Sequence, residues 1–299
     1  MRNKRLVIWA VSFLSAVFVL TFVASIVLTE GALRPLIRRR ASDTTALAYS
    51  ISQTAHVNAT PVRIRAADGA TMTGWWLSQQ SGNSRAVMIC HGVADSAFGG
   101  MGYALLFLRH GYSVLVPNAR GHGDSQGFVT YGVLEADDTL KWLDWMKQQG
   151  VQETFGFGES LGASVLLESL CRHASFQAIV AECPYSSFQA VADERVAQRV
   201  GQPLAFLSVG EGMLYTRLRY GLDLSKARPD LCVKDTHIPI LLIHGLQDNE
   251  TSPENSKRLE RENPRDIQLW LVPGAKHTGA YATQPHEFER RVLAWFANE

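Results

Sequence analysis

The stretch GFGESLGAS, residues 156–164, sets Ser160 between Gly158 and Gly162. A hydroxyl in a glycine-flanked turn has the makings of a nucleophile. At its own pKa, however, it is a poor one, and it needs a base that is itself oriented by an acid. The G-x-S-x-G pattern alone is weak, since roughly one chain in ten of this length carries it by chance. Partners must therefore be sought elsewhere. Downstream, HGLQD supplies Asp248 and PGAKH supplies His277, in the order serine, acid, histidine. Upstream, HGVAD begins at His91 and offers the backbone N–H of Val93, which with that of Leu161 would make an oxyanion hole. Together these residue types describe acyl transfer through a covalent serine intermediate.

Other residues compete for the same roles. Asp124 in GHGDS is an alternative acid, but it precedes the serine. His91, His122, His244 and His286 are alternative bases; His91 and His244 belong to HG turns, and His286 falls early in a helix. Glu159, immediately before the serine, reads as a local polar residue.

The chemistry requires strands that end where these loops begin. Val62–Arg65 and Thr73–Leu77 read as an antiparallel pair joined through Asp68-Gly69. Short apolar runs follow at Ala86–Cys90, Ser113–Pro117, Thr154–Gly158, Ala178–Glu182, Ile240–His244 and Ile267–Val272. Such runs suit strands buried on both faces. Helical patterns alternate with them at Ala104–Arg109, Leu134–Gln149, Leu161–His173, Pro253–Glu262 and Pro285–Asn298. In the last of these, Phe288, Val292 and Phe296 recur every four residues on one face. The alternation predicts a parallel sheet covered by helices on both sides. Ser160 then lies at a strand-to-helix turn, the nucleophile elbow, with Asp248 and His277 beyond later strands on the same edge.

HGVADS, NARGHGDSQG, GFGESLGAS, HGLQDNETSP and PGAKHTGA occur in one order, and over roughly residues 56–299 the chain resembles the alpha/beta-hydrolase superfamily. It is most similar to the peptidase-like branch that holds serine aminopeptidase-like and prolyl-oligopeptidase-like domains. The resemblance implies an α/β fold with a mostly parallel eight-stranded sheet, a Ser160–Asp248–His277 triad, no metal and no organic cofactor. It is compatible with an esterase, an aminopeptidase-like peptidase or a catalytically silent scaffold of the same fold.

The rest of the chain sets the context. Residues Ser187–Thr236 carry no strand, and fifty residues is too long for a bare loop, so a small helical cap insertion at about 187–236 is expected. Its Phe206, Leu207, Met213, Leu214 and Tyr215 suggest an apolar acyl pocket. The formal net charge of +1 gives no footprint for nucleic acid. The glycines of 156–162 lack the spacing and partners of a nucleotide loop. Leu6–Leu28 carries no charge, and its 23 residues span about 34 Å as a helix, enough to cross a bilayer. Residues 1–40 therefore read as a single-pass anchor with basic flanks, 41–55 as a polar connector and 56–299 as the hydrolase domain. Arg2, Lys4 and Arg5 before the span nearly balance Arg34, Arg38, Arg39 and Arg40 after it, which leaves its orientation open. The oligomeric state is likewise open. Cys90, Cys171, Cys183 and Cys232 show no metal-ligand spacing and read as free thiols in a core independent of disulfides.

Overall fold

Apolar runs bounded by turn residues become strands in a computed structural model that describes residues 2–37, 41–79 and 84–297. Arg38–Arg40 of the basic flank and Asn298 of the last helix lie outside the described residues. Eight strands form one sheet: β1 (Asn58–Arg65), β2 (Thr71–Ser78), β3 (Arg85–Cys90), β4 (Ser113–Pro117), β5 (Glu153–Glu159), β6 (Ile179–Glu182), β7 (Ile240–Gly245) and β8 (Ile267–Val272). Their order is β1-β2-β4-β3-β5-β6-β7-β8, with β1 and β2 antiparallel to their neighbours and the remaining pairs parallel. The helices are α1 (Arg2–Leu33), α2 (Ala41–Ala55), α3 (Ala97–Leu108), α4 (Glu135–Gln148), α5 (Leu161–Ser169) and α6 (Phe188–Val200). They continue with α7 (Gln202–Tyr220), α8 (Pro229–Cys232), α9 (Glu254–Glu262), α10 (Ala280–Thr283) and α11 (Pro285–Ala297).

The two-residue period of the strands divides the core between the two faces. In β3, Val87 and Ile89 join Phe155, Phe157, Met101 and Phe107 on the face covered by α3 and α11. Ala86 and Met88 turn instead toward Leu115, Trp142, Met146 and Leu166 under α4 and α5. Phe288, Val292 and Phe296 of α11 are fully buried on the first face. The stretch read as a polar connector, residues 41–55, is helix α2, and its Ala48 and Ile51 are buried in that same core. Its buried positions Thr44, Ala48 and Ile51 follow helical spacing, but with a Thr and an Ala among them they make no apolar stripe that the sequence shows.

The reading of Cys171 as a free helical thiol is corrected. Cys171 and Cys232 form a disulfide across 61 residues, tying the end of α5 to α8. Sequence separation hid the pair, because only the packing of α8 on α5 brings the two Cα atoms to 4.8 Å. Cys90 and Cys183 are buried free thiols.

Between β6 and β7 the chain leaves the sheet and forms α6 and α7, an antiparallel pair above the carboxyl edge. A third apolar cluster beneath them includes Leu161, Val165, Tyr185, Val191 and Leu33 from the end of α1. α1 is the one helix among the described residues that is long and apolar enough to cross a membrane, over Val11–Leu33.

Candidate active site

β5 ends at Glu159 and α5 starts at Leu161, so Ser160 occupies the whole turn. Its backbone sits at φ 50 and ψ −111, a conformation that a residue with a Cβ adopts only under strain. Both flanking glycines are needed for that turn. A Cβ on Gly158 would lie 2.7 Å from the Gly162 carbonyl, and one on Gly162 would lie 2.2 Å from the Cys90 carbonyl oxygen. Helix α5 can therefore begin directly against the end of β3.

The structure brings together the three side chains expected to cooperate. The Ser160 hydroxyl donates to His277 Nε2 at 2.9 Å, and His277 Nδ1–H donates to Asp248 Oδ2 at 2.6 Å. Asp248 is held from its other side. Its Oδ1 accepts the Glu250 and Thr251 N–H groups at 2.8 and 2.9 Å, and His244 Nε2 stands 3.2 Å from Oδ2. Burial alone would raise this carboxyl, but the bonds from His244 and His277 outweigh it and hold the group well below the usual carboxylate range. An ionised Asp248 favours the proton of His277 on Nδ1 and leaves Nε2 as an acceptor facing the serine.

Leu161 is the first residue of α5, where N–H groups have no intrahelical acceptor; the first helical bond runs from Ser164 N–H to Ser160 O. Val93 lies in the loop after β3, and a Cβ on its neighbour Gly92 would lie 3.6 Å from the Ser160 Cβ. Val93, Ser160, Glu159, Phe98, Glu250 and His277 line one open cleft of about 500 Å³.

The competing residues have other places. His286 and Asp124 are exposed, and neither lines this cleft. His91 and His122 lock two loops to each other. His91 Nε2 accepts the Ala119 N–H at 3.0 Å while its Nδ1–H donates to Gly92 O. His122 Nε2 accepts the Ala94 N–H at 3.2 Å while its Nδ1–H donates to Arg120 O. Each ring must be neutral to do this, and burial depresses both; His91 falls to about 3. The pair thus fixes the backbone on either side of Val93. His244, read as part of a simple HG turn, is instead the second imidazole on Asp248. The HG dipeptides at the ends of β3 and β7 were the available signal for these supporting roles.

Two neighbouring carboxyls stand beside Ser160, and one of them, Glu159, lines the cleft. Glu159 and Glu182 are register partners on β5 and β6. Glu159 accepts the Tyr103 hydroxyl at 2.7 Å, and Glu182 accepts the Ala280 N–H at 2.9 Å, three residues past His277. Burial raises both, and the neighbouring Glu159 charge raises Glu182 further, so the pair favours retaining a proton.

One expectation about the cap is corrected. Phe206, Leu207, Met213, Leu214 and Tyr215 are not among the residues lining the cleft. Phe206, Leu207 and Leu214 point outward, and Met213 packs toward α1. The reason is packing: α7 lies against α6 and α1, which take its inner faces and leave the other side chains pointing outward.

Residues 101–299 match the prolyl oligopeptidase family over two thirds of the chain. The chain belongs to this family. Membership brings with it the hydrolase character of the group. The uncharacterized protein YqkD of Bacillus subtilis is 28% identical over 220 residues, 71% of each chain. The uncharacterized protein Rv2307c of Mycobacterium tuberculosis is 26% identical over 78% of this chain and 75% of its own. Among solved structures, the Pyrococcus furiosus esterase Pf2001 superposes with a TM-score of 0.67 at 20% identity, covering 83% of this chain and 95% of the esterase. A putative dipeptidyl aminopeptidase IV from Bacteroides ovatus superposes at 0.62 and 16% identity, covering 81% and 36%. At such identities the likeness establishes the alpha/beta-hydrolase fold, which these esterases and peptidases share.

Proposed function

We propose that this family member is a membrane-anchored serine hydrolase that cleaves ester, thioester or amide bonds through an acyl-enzyme on Ser160. The observation that carries the reading is the unbroken chain of hydrogen bonds from the Ser160 hydroxyl through His277 to Asp248. In the first step His277 Nε2 takes the serine proton as Oγ attacks the carbonyl carbon. Asp248 stabilises the resulting imidazolium, and the Val93 and Leu161 amides receive the oxyanion. The imidazolium then protonates the leaving group, and water repeats the cycle on the acyl-enzyme. Residues 56–299 form the hydrolytic domain in this reading, and α1 anchors it. No metal or organic cofactor is required by any step. The Cys171–Cys232 bridge supports placing the domain on the oxidising side of the membrane, because such bridges persist outside a reducing cytosol.

Esterase action is the leading reading, and the superposition on Pf2001 is consistent with it. One observation favours an aminopeptidase-like alternative: the carboxylates of Asp95 and Glu250 line the cleft, a setting that suits a substrate ammonium group. Purified full-length protein should react with a fluorophosphonate probe, and Ser160→Ala should abolish the labelling. Retained labelling in that variant refutes the assignment of the nucleophile. Faster Ser160-dependent cleavage of aminoacyl nitroanilides than of short nitrophenyl esters would replace the esterase reading with the peptidase one.

A further inference from the structure

Helix α7 carries apolar side chains that neither the sheet nor the cleft uses. Leu204, Phe206, Leu207, Leu214 and Leu218 are between 38% and 75% exposed. Four of them, at positions 204, 207, 214 and 218, follow helical spacing and share one stripe. A soluble domain rarely leaves such a stripe uncovered.

The stripe continues onto α1. The two helices run side by side in the same direction, and their pairings advance together. Thr21 and Ser25 donate to the Glu211 carboxylate at 3.0 and 2.9 Å. Gly212 approaches so closely that a Cβ there would lie 2.5 Å from Thr29 Oγ1. Farther along, Tyr215 and Tyr220 donate to Glu30 at 2.7 and 2.5 Å, and the Arg34 guanidinium lies over the Tyr220 ring. Counting back nine residues from Glu211, which meets Thr21 and Ser25, the start of α7 reaches about 14 Å along α1, toward the Val11 end of the Val11–Leu33 apolar stretch. Outward side chains of α1 alongside α7, Leu20 and Val23 among them, are as exposed as those of α7.

The polar groups are graded along the same axis. Glu211, within the apolar zone, is buried and has two hydroxyl partners on α1, as an acid at bilayer depth requires. Tyr215, Arg217, Arg219 and Tyr220 cluster at the opposite end of α7, the arrangement of an interfacial aromatic and basic belt. The turn into α7 also reaches the cleft. Arg195 and Gln198 of α6 donate to the carbonyls of Glu250 and Asn249, and Glu250 lines the cleft mouth.

We propose that α7 enters the bilayer surface beside α1, its leucine stripe among the acyl chains, so that the Ser160 cleft opens onto the membrane and takes amphiphilic acyl substrates from it. The proposal rests on the reading of α1 as a membrane anchor, and it makes the cap a second membrane contact. It also gives the outward phase of the cap leucines a use that an acyl pocket does not.

The test uses the full-length protein in vesicles of phosphatidylcholine and phosphatidylglycerol. Environment-sensitive probes are placed singly at Phe13→Cys on α1, Leu207→Cys and Leu214→Cys on α7, and Gln148→Cys on α4. Quenching by doxyl-labelled lipid is expected at the α1 and α7 positions and not at α4. Quenching at Phe13→Cys without quenching on α7 overturns the proposal and leaves the anchor standing. Loss of quenching at all positions overturns the anchor reading and the proposal with it. Shielded α7 probes that no lipid quenches, together with a dimer in crosslinking, overturn it in favour of a second copy as the cover. In activity, the Leu207→Ser, Leu214→Ser double variant should hydrolyse a long-chain ester embedded in vesicles about tenfold more slowly, because two leucyl contacts with acyl chains are lost. Its hydrolysis of soluble nitrophenyl acetate should match wild type, and an equal fall on both substrates overturns the proposal.

Discussion

Replacing Gly162 with alanine puts the elbow to a sharp test. The new Cβ would lie 2.2 Å from the Cys90 carbonyl oxygen, 2.4 Å from its carbon and 2.7 Å from the His91 oxygen, all backbone atoms that cannot swing aside. Ordinary contact begins near 3.4 Å, so the first turn of α5 must retreat from β3 by about 1.2 Å. That displacement carries the Leu161 amide and the Ser160 hydroxyl away from the Gly92-Val93 loop. Misplacement of this size costs about 10²-fold in turnover. The accompanying overpacking should cost about 1–3 kcal/mol of stability. Gly156→Ala on β5, the strand that leads into the elbow, is the control. Its Cβ would meet only side-chain carbons of Leu166, Ile179 and Phe176 at 3.3–3.4 Å, so a change of less than threefold in turnover is expected. The assay is kcat/KM on a nitrophenyl ester, paired with urea denaturation to show that the variant is folded. Wild-type turnover in Gly162→Ala, or equal damage from Gly156→Ala, refutes the reasoning.

Three further outcomes follow from the packing around the site. Asp248→Asn keeps the shape but sets an amide donor against groups that all donate, and it should lower kcat by roughly 10³–10⁴-fold with little change in KM. A fall below tenfold would mean that Asp248 does not hold the tautomer of His277. Cys171→Ser or reduction of the bridge opens a 61-residue loop and should cost about 4 kcal/mol in the urea midpoint analysis, whereas no change with reductant contradicts the bridge. Burial raises Glu168 to about 7 although its carboxylate accepts the Arg228 N–H, so above its ordinary value of 4.5 the unfolded chain ionises first. Stability should therefore fall as pH rises from about 4.5 to about 7, by roughly 2–3 kcal/mol. Glu168→Gln should flatten that slope in denaturation curves, and an unchanged slope excludes Glu168 as its source.

Much of the fold was legible because its signals are local. Strands buried on both faces must be short apolar runs, and Ile240–His244 and Ile267–Val272 fall within β7 and β8 for that reason. Ser160, Asp248 and His277 could be named because the elbow and the two late loops have recognisable turn residues at the ends of those runs. Their meeting within hydrogen-bond distance is a property of the sheet, which aligns the carboxyl ends of β5, β7 and β8 on one edge.

What stayed hidden depends on contacts between distant segments. His91 and His122 look like turn residues until the loops after β3 and β4 face each other and each imidazole takes an N–H from the other loop. Cys171 and Cys232 look unrelated until α8 packs on α5. The apolar residues of α7 carry no mark of direction, since composition gives a stripe but not what it faces. The sequence by itself determined the strands, the order of the motifs and the residue types of the site, because these are fixed by spacing along one chain. Only the tertiary structure decided which imidazole meets Ser160, which brace the loops and which way the cap turns, because those follow from helical phase and from surfaces that meet across the fold.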